Sequence, residues 1–201
     1  MGNGINRSGK RLLTVVTDVS VGKMFTALAI EKEMKKRGFD ADFRATGQTG
    51  IFIAGSGVSI DAVVADFISG AVEWLCPENA EDHWDIVEGQ GSLFNVSYAG
   101  VTLGLIHGSQ PDAIVVCHEA GRPHMRSMPH FPVIDLPTCI EFNLQAARLT
   151  NPDVRCVGAA INTSRLSKEE GKIFCEKISQ EIGLPAVDPL RDGVAALVDQ
   201  I

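Results

Sequence analysis

The segment Val16-Thr17-Asp18-Val19-Ser20-Val21-Gly22-Lys23-Met24 carries residue types suited to holding an anion. Its second half matches the Gly-Lys of the Gly-x4-Gly-Lys-Ser/Thr phosphate loop, in which backbone N–H groups wrap a phosphate and the lysine adds a point charge. A bare Gly-Lys pair recurs by chance in many proteins. Here it stands between an apolar, β-branched run, Leu12–Thr17, and a helical pattern, Gly22–Arg37. Amides of the loop and the start of the helix would then face the anion. Thr17, Asp18, Ser20, Val21, Gly22 and Lys23 are therefore expected to bind the phosphates of a cofactor. Met24 stands where a Ser or Thr would ligate magnesium. A thioether cannot replace that hydroxyl, and Thr26 would point elsewhere on the helix. The loop is suited to gripping phosphate and poorly equipped for metal-assisted hydrolysis.

Other candidate groups follow the remaining apolar runs. Glu88 ends one of them and leads into Gly89-Gln90-Gly91, so an acid would stand at a strand tip beside the loop, with Gln90 near a substrate. Gln48 and Thr49 follow another run and offer small polar contacts. Four of the five histidines lie between residues 107 and 130, together with Arg122 and Arg126. Such a group can bind a carboxylate or exchange protons. Glu88, His107 and His118 are thus candidate general bases, and Arg122 and Arg126 candidate carboxylate ligands. Asn162 ends a further run, at an edge where nucleotide bases often sit in phosphate-loop proteins. Asp61 reads as an acid favoured by the start of a helix. No His, Cys or carboxylate spacing suggests a zinc site, so no metal site is expected.

The elements that must position these groups alternate. Strands are expected at Leu12–Thr17, Asp42–Thr46, Trp84–Glu88, Ala113–Cys117, Val154–Asn162 and Ala186–Asp188. Helices are expected at Gly22–Arg37, Asp61–Leu75, Ala99–Gly108, Thr138–Arg148, Lys168–Ile182 and Asp192–Ile201. This alternation predicts an α/β fold with a mainly parallel sheet and helices on both faces. Ligands of such sheets bind at the carboxyl ends of the strands. Gly47–Ile60 and Glu119–Leu136 are long irregular stretches, a length usually reserved for function. Residues 1–10 read as a linker and 11–201 as one domain. The formal net charge of −7 argues against a nucleic-acid footprint. No run is apolar for long enough to span a membrane, and no signal peptide opens the chain. Five scattered cysteines fit a reducing cytoplasm.

Several long segments resemble one family: Thr17–Met24, Ala45–Gly57, Asp61–Gly70, Val87–Phe94, Gly100–His118 and Ile161–Ser164. They look like the C-terminal phosphate-loop domain of the D-glutamate N-acetyltransferase family, long labelled as of unknown function. More distantly, the chain resembles dethiobiotin synthetase-type enzymes. The resemblance implies a P-loop NTPase-like sheet and an N-terminal Rossmann-like domain that this chain lacks. It also implies acetyl transfer from acetyl-CoA to the amine of a D-amino acid. ATP with Mg2+ is the alternative cofactor, in a ligase of the dethiobiotin synthetase type. A third reading is a nucleotide-binding module without turnover. Family members usually have glycine where this chain has Val16. Loss of a neighbouring domain would expose an apolar patch, so self-association is expected.

Overall fold

The computed structural model describes residues 1–201. Eight strands and seven α-helices alternate along it. The strands are β1 (Lys10–Val16), β2 (Ala41–Arg44), β3 (Trp84–Val87), β4 (Ala113–Glu119), β5 (His124–Met125), β6 (Met128–Pro132), β7 (Arg155–Asn162) and β8 (Ala186–Val187). The helices are α1 (Lys23–Lys36), α2 (Gln48–Ala54), α3 (Ile68–Leu75), α4 (Ala99–Ser109), α5 (Leu136–Ala147), α6 (Lys168–Ile182) and α7 (Ala195–Val198). Six strands form a parallel sheet in the order β2-β3-β1-β4-β7-β8, and β5 and β6 form a separate antiparallel hairpin. The expected α/β fold is the observed one. No helix is long and apolar enough to cross a membrane.

The sheet is buried on both faces because β4 is apolar from Ala113 to Cys117 and β1 carries Leu12, Leu13, Val15 and Val16. Along β4, Ile114 and Val116 join one core, while Ala113, Val115 and Cys117 join the other. The first core is closed by residues of α3, α4, α5 and α6, including Ile68, Leu105, Cys139 and Ile178. The second is closed by Ala27, Ile30 and Met34 of α1 and by Leu197 and Val198 of α7. The chain leaves β1 toward β2 on one side and leaves β4 toward β7 on the other. The loops after β1 and β4 therefore diverge, and this divergence opens a crevice at the carboxyl edge.

Four expectations change. The stretch Gly47–Ile60, with four glycines, contains a helix, α2, whose seven-residue length hid its period. The helix expected over Asp61–Leu75 starts as two 3-10 turns, Ile60–Ala62 and Ala65–Phe67, and becomes α-helical only at Ile68. Ile60 is fully buried and its N–H donates to the Thr46 carbonyl at 3.0 Å, which holds this segment against the end of β2 instead of in a helix. The stretch Glu119–Leu136 holds the hairpin β5–β6. Residues 1–9 do not dangle: the N–H groups of Asn3 and Gly4 donate to Glu73 on α3, and Arg7 donates to the Gly108 carbonyl.

Candidate functional site

Residues 17–22 link β1 to α1 over the crevice. Gly22 precedes the helix with φ 110°, a left-handed conformation that a side chain would oppose. No side chain caps α1 and no acid lies in its first turn. Its leading N–H groups are thus open, and the partial positive charge of the helix start is not neutralised. Lys23 opens that turn half-buried. Burial pulls its pKa below the usual lysine value, while the Cys117 thiol and the acids Glu88 and Asp18 pull it up. A phosphate here would replace water around the ammonium with a fixed counter-charge. Met24 lines the same space, and the Thr26 side chain is buried and bonds toward Cys117.

Three cavities surround this loop, and Ser20 lines all of them. One, of about 550 Å3, lies between the loop, the start of the hairpin and Asn162. A second, of about 410 Å3, lies between the loop, the Gly91 turn and the hairpin tip. A third, of about 500 Å3, lies between the loop, the start of α2 and the end of β3. Lys23, Asp61 and Gln90 line both the second and the third. A small cleft beside α1 joins Asn162 to the side chains of Val21, Phe25 and Leu190.

The sequence candidates separate on this geometry. Ser20, Gly22, Lys23, Gln48, Thr49, Glu88, Gln90, Arg126 and Asn162 all line one or more cavities at the loop. Thr17 and Asp18 do not face a ligand: both are fully buried. Thr17 Oγ1 bonds His118 Nδ1 at 3.0 Å, and Asp18 accepts from Arg122 at 2.8 Å, from the Arg126 N–H at 2.7 Å and from Asn95 at 3.3 Å. Asp18 is thus an internal anchor that fastens the phosphate loop to the hairpin. Arg122 is the other half of it. Its guanidinium also donates to the Val19 carbonyl at 2.7 Å and pairs with Glu119, so it lines the cavity of about 550 Å3 with most of its donors already engaged by the protein.

The three candidate bases differ more sharply. His107 lies in the last turn of α4, just before β4 begins. Because α4 runs back along the sheet, His107 stands at the edge opposite the loop, about 12 Å along the helix from Ala99. The structure removes it from the site. His118 is half-buried and its ring stacks on Phe174 with centroids 6.2 Å apart. Burial, reinforced by Arg122, lowers its pKa against the pull of Glu119. It supports Thr17 from behind. Glu88 is buried, and its Oε2 accepts from the N–H groups of Thr46 and Gly47 at 2.9 and 3.0 Å. A Cβ on Gly50 would come within 2.2 Å of that same oxygen. Glu88 therefore holds the start of α2 in place, with one edge toward the third cavity. Asp61 was legible only as a helix-start acid. Folding brings it, exposed, into two cavities at the loop, a placement no local pattern reveals.

Residues 1–198 match the family model described as the domain of unknown function DUF1611, P-loop domain. The chain belongs to this family. Curated relatives named D-glutamate N-acetyltransferase, from Pseudoalteromonas sp and Tritonibacter scottomollicae, are 60% and 52% identical to the DUF1611 domain over 98% and 99% of its length. It spans 59% and 60% of those two relatives. The crystal structure of a DUF1611 family protein from Anabaena variabilis superposes with a TM-score of 0.90 at 39% identity, over 96% of this chain and 57% of that one. Cobyrinic acid a,c-diamide synthase from Mycobacterium smegmatis, with bound ADP and magnesium, superposes with a TM-score of 0.54 over 96% of this chain and 92% of that one. At 14% identity that likeness speaks to the fold alone.

Proposed function

We propose that the DUF1611 domain takes part in N-acetyl transfer from acetyl-CoA to the amine of a D-amino acid, D-glutamate being the acceptor named for its relatives. The observation that carries this reading is the loop itself. Open amides, an uncapped helix start and a half-buried lysine suit phosphate, and Met24 supplies no hydroxyl for a magnesium ion. Coenzyme A presents phosphates without requiring such an ion. Its fit rests on Ser20, Gly22 and Lys23 at the loop, with Asn162, Phe25 and Leu190 flanking a cleft that suits a flat base. When bound, acetyl-CoA supplies an activated acyl carbon as a thioester. The protein's part is to orient the amine, accept its proton and keep water from that carbon. The N-terminal domain expected from the resemblance would flank this site, in line with the greater length of the relatives. The five free thiols suit a reducing cytoplasm.

Calorimetric titration with acetyl-CoA, CoA, ATP and ATP plus Mg2+ tests the assignment. Binding of CoA species without magnesium is expected, and Lys23→Ala should weaken it by about tenfold or more, the scale of one charge-assisted hydrogen bond. Magnesium-dependent ATP binding with no affinity for CoA would reverse the assignment in favour of the ligase. Self-association remains part of the proposal. Phe67, just before α3, and Trp74 on α3 are 51% and 74% exposed, and Phe52 of α2 is 89% exposed. Sedimentation equilibrium checks it, a monomer at all concentrations being the contrary result.

A further inference from the structure

We infer that the cavity bounded by the phosphate loop, the Gly91 turn and the hairpin tip is the acceptor pocket, and that Asp61 is the group that receives the acceptor's amine. The inference rests on the acetyl-transfer reading and adds a location and a base to it. Two cations, Arg126 and the Lys23 that this cavity shares with the donor's phosphates, and one anion, Asp61, line this cavity of about 410 Å3. A dicarboxylic α-amino acid carries the complementary set, two carboxylates and one ammonium. Tyr98, Val101 and Met128 supply apolar wall for its methylenes.

The position of Asp61 decides its role. Transfer requires one group to touch the amine while standing beside the acyl carbon of the donor. Asp61 lines both this cavity and the neighbouring cavity of about 500 Å3, where Lys23 and the start of α2 meet. Glu88 lines only the latter, with Oε2 engaged by two amides. Asp61 bonds to no other side chain, so its carboxylate is free for a ligand. Its backbone is fixed by buried Ile60 and the bond from Ile60 N–H to the Thr46 carbonyl. Arg126 is placed in a comparable way: its backbone N–H is tied to Asp18 while its guanidinium projects from the hairpin turn.

The chemistry balances as follows. The acceptor's ammonium gives one proton to the Asp61 carboxylate. The freed nitrogen forms a bond to the acyl carbon, the C–S bond breaks and the sulfur leaves with the electron pair. The second nitrogen proton passes to that thiolate, and Asp61 returns its proton to water. One amide, one thiol and one proton result from one ammonium and one thioester.

Asp61→Asn and Arg126→Ala test this, since both side chains are exposed and removing them leaves the core intact. Two readouts are taken on the 201-residue chain: D-glutamate binding by calorimetry, and thiol release from acetyl-CoA. Arg126→Ala is expected to weaken D-glutamate binding about tenfold or more. Asp61→Asn is expected to cut thiol release about 100-fold with acetyl-CoA affinity unchanged. Turnover and D-glutamate binding untouched in both variants would overturn the pocket while leaving acetyl transfer standing. D-glutamate binding that the variants weaken, in a chain that releases no thiol, would support the pocket and overturn the transfer reading. A chain that neither binds D-glutamate nor releases thiol would overturn both.

Discussion

Replacing Arg122 with methionine distinguishes an internal clamp from a substrate ligand. The methionine keeps much of the buried volume but removes the charge. Asp18, fully buried, would then keep only the Arg126 N–H and the Asn95 amide as partners, and Glu119 would keep Arg165. Breaking a buried pair in this way costs about 3–5 kcal/mol, because one charge stays behind without compensation. For a domain of this size each kcal/mol lowers Tm by about 2–4 °C, so a fall of about 6–20 °C is expected. The carbonyls of Val19 and Ser20 would lose their donor as well, so the loop should loosen and phosphate-ligand affinity fall with Tm. The assay pairs differential scanning calorimetry with CoA titration below the lowered Tm. Asp18→Asn in the same chain should recover part of the lost stability, since it removes the orphaned charge. An unchanged Tm with only the acceptor KM raised would refute the clamp and restore Arg122 as a carboxylate ligand.

Gly50→Ala should push Glu88 from the start of α2 and lower Tm, because the new Cβ would lie 2.2 Å from Oε2; Gly50→Ala together with Glu88→Ala should be less destabilised than the sum of the two, as a double-mutant cycle would show. His118 has a pKa depressed from 6.5, so the unfolded chain binds its proton first as pH falls. Stability should therefore drop as pH falls from 6.5 toward the folded pKa, be insensitive to this group above 6.5, and lose that segment of dependence in His118→Gln, as urea titrations at several pH values would reveal. The thiols of Cys76, Cys117, Cys156 and Cys175 are pushed up to about 12, 11, 11 and 11 by burial, and Cys139 is also raised. Alkylation at neutral pH should consequently be slow in the native protein and complete only after unfolding, as mass spectrometry would record.

Much of the fold was legible because its signals are local. The six sheet strands and most helices were readable from apolar runs alternating with helical periods. The phosphate loop was readable from its place between a run and a helix. Where local and tertiary forces compete, the reading failed. α2 is a seven-residue helix, flanked by glycines, whose start is held by Glu88, a partner far along the chain. Asp61 sits in a 3-10 turn ahead of α3, where the burial of Ile60 holds it.

The sequence by itself determined that strands and helices alternate, that Gly22 and Lys23 open a helix after a strand, and that Met24 supplies no magnesium ligand. These follow from residue type and spacing within a few positions. Only the tertiary structure decided which charged groups are free. Asp18 and Arg122 look like ligands in the sequence, yet each is consumed by the other across 104 positions of chain. His107 is sent to the far edge because the helix that carries it must run back along the sheet. Asp61 arrives at the loop because a buried isoleucine one residue away fixes its backbone there. Charge pairing and burial act between residues distant in sequence, so the spacing of residue types could name the phosphate loop but not its neighbours.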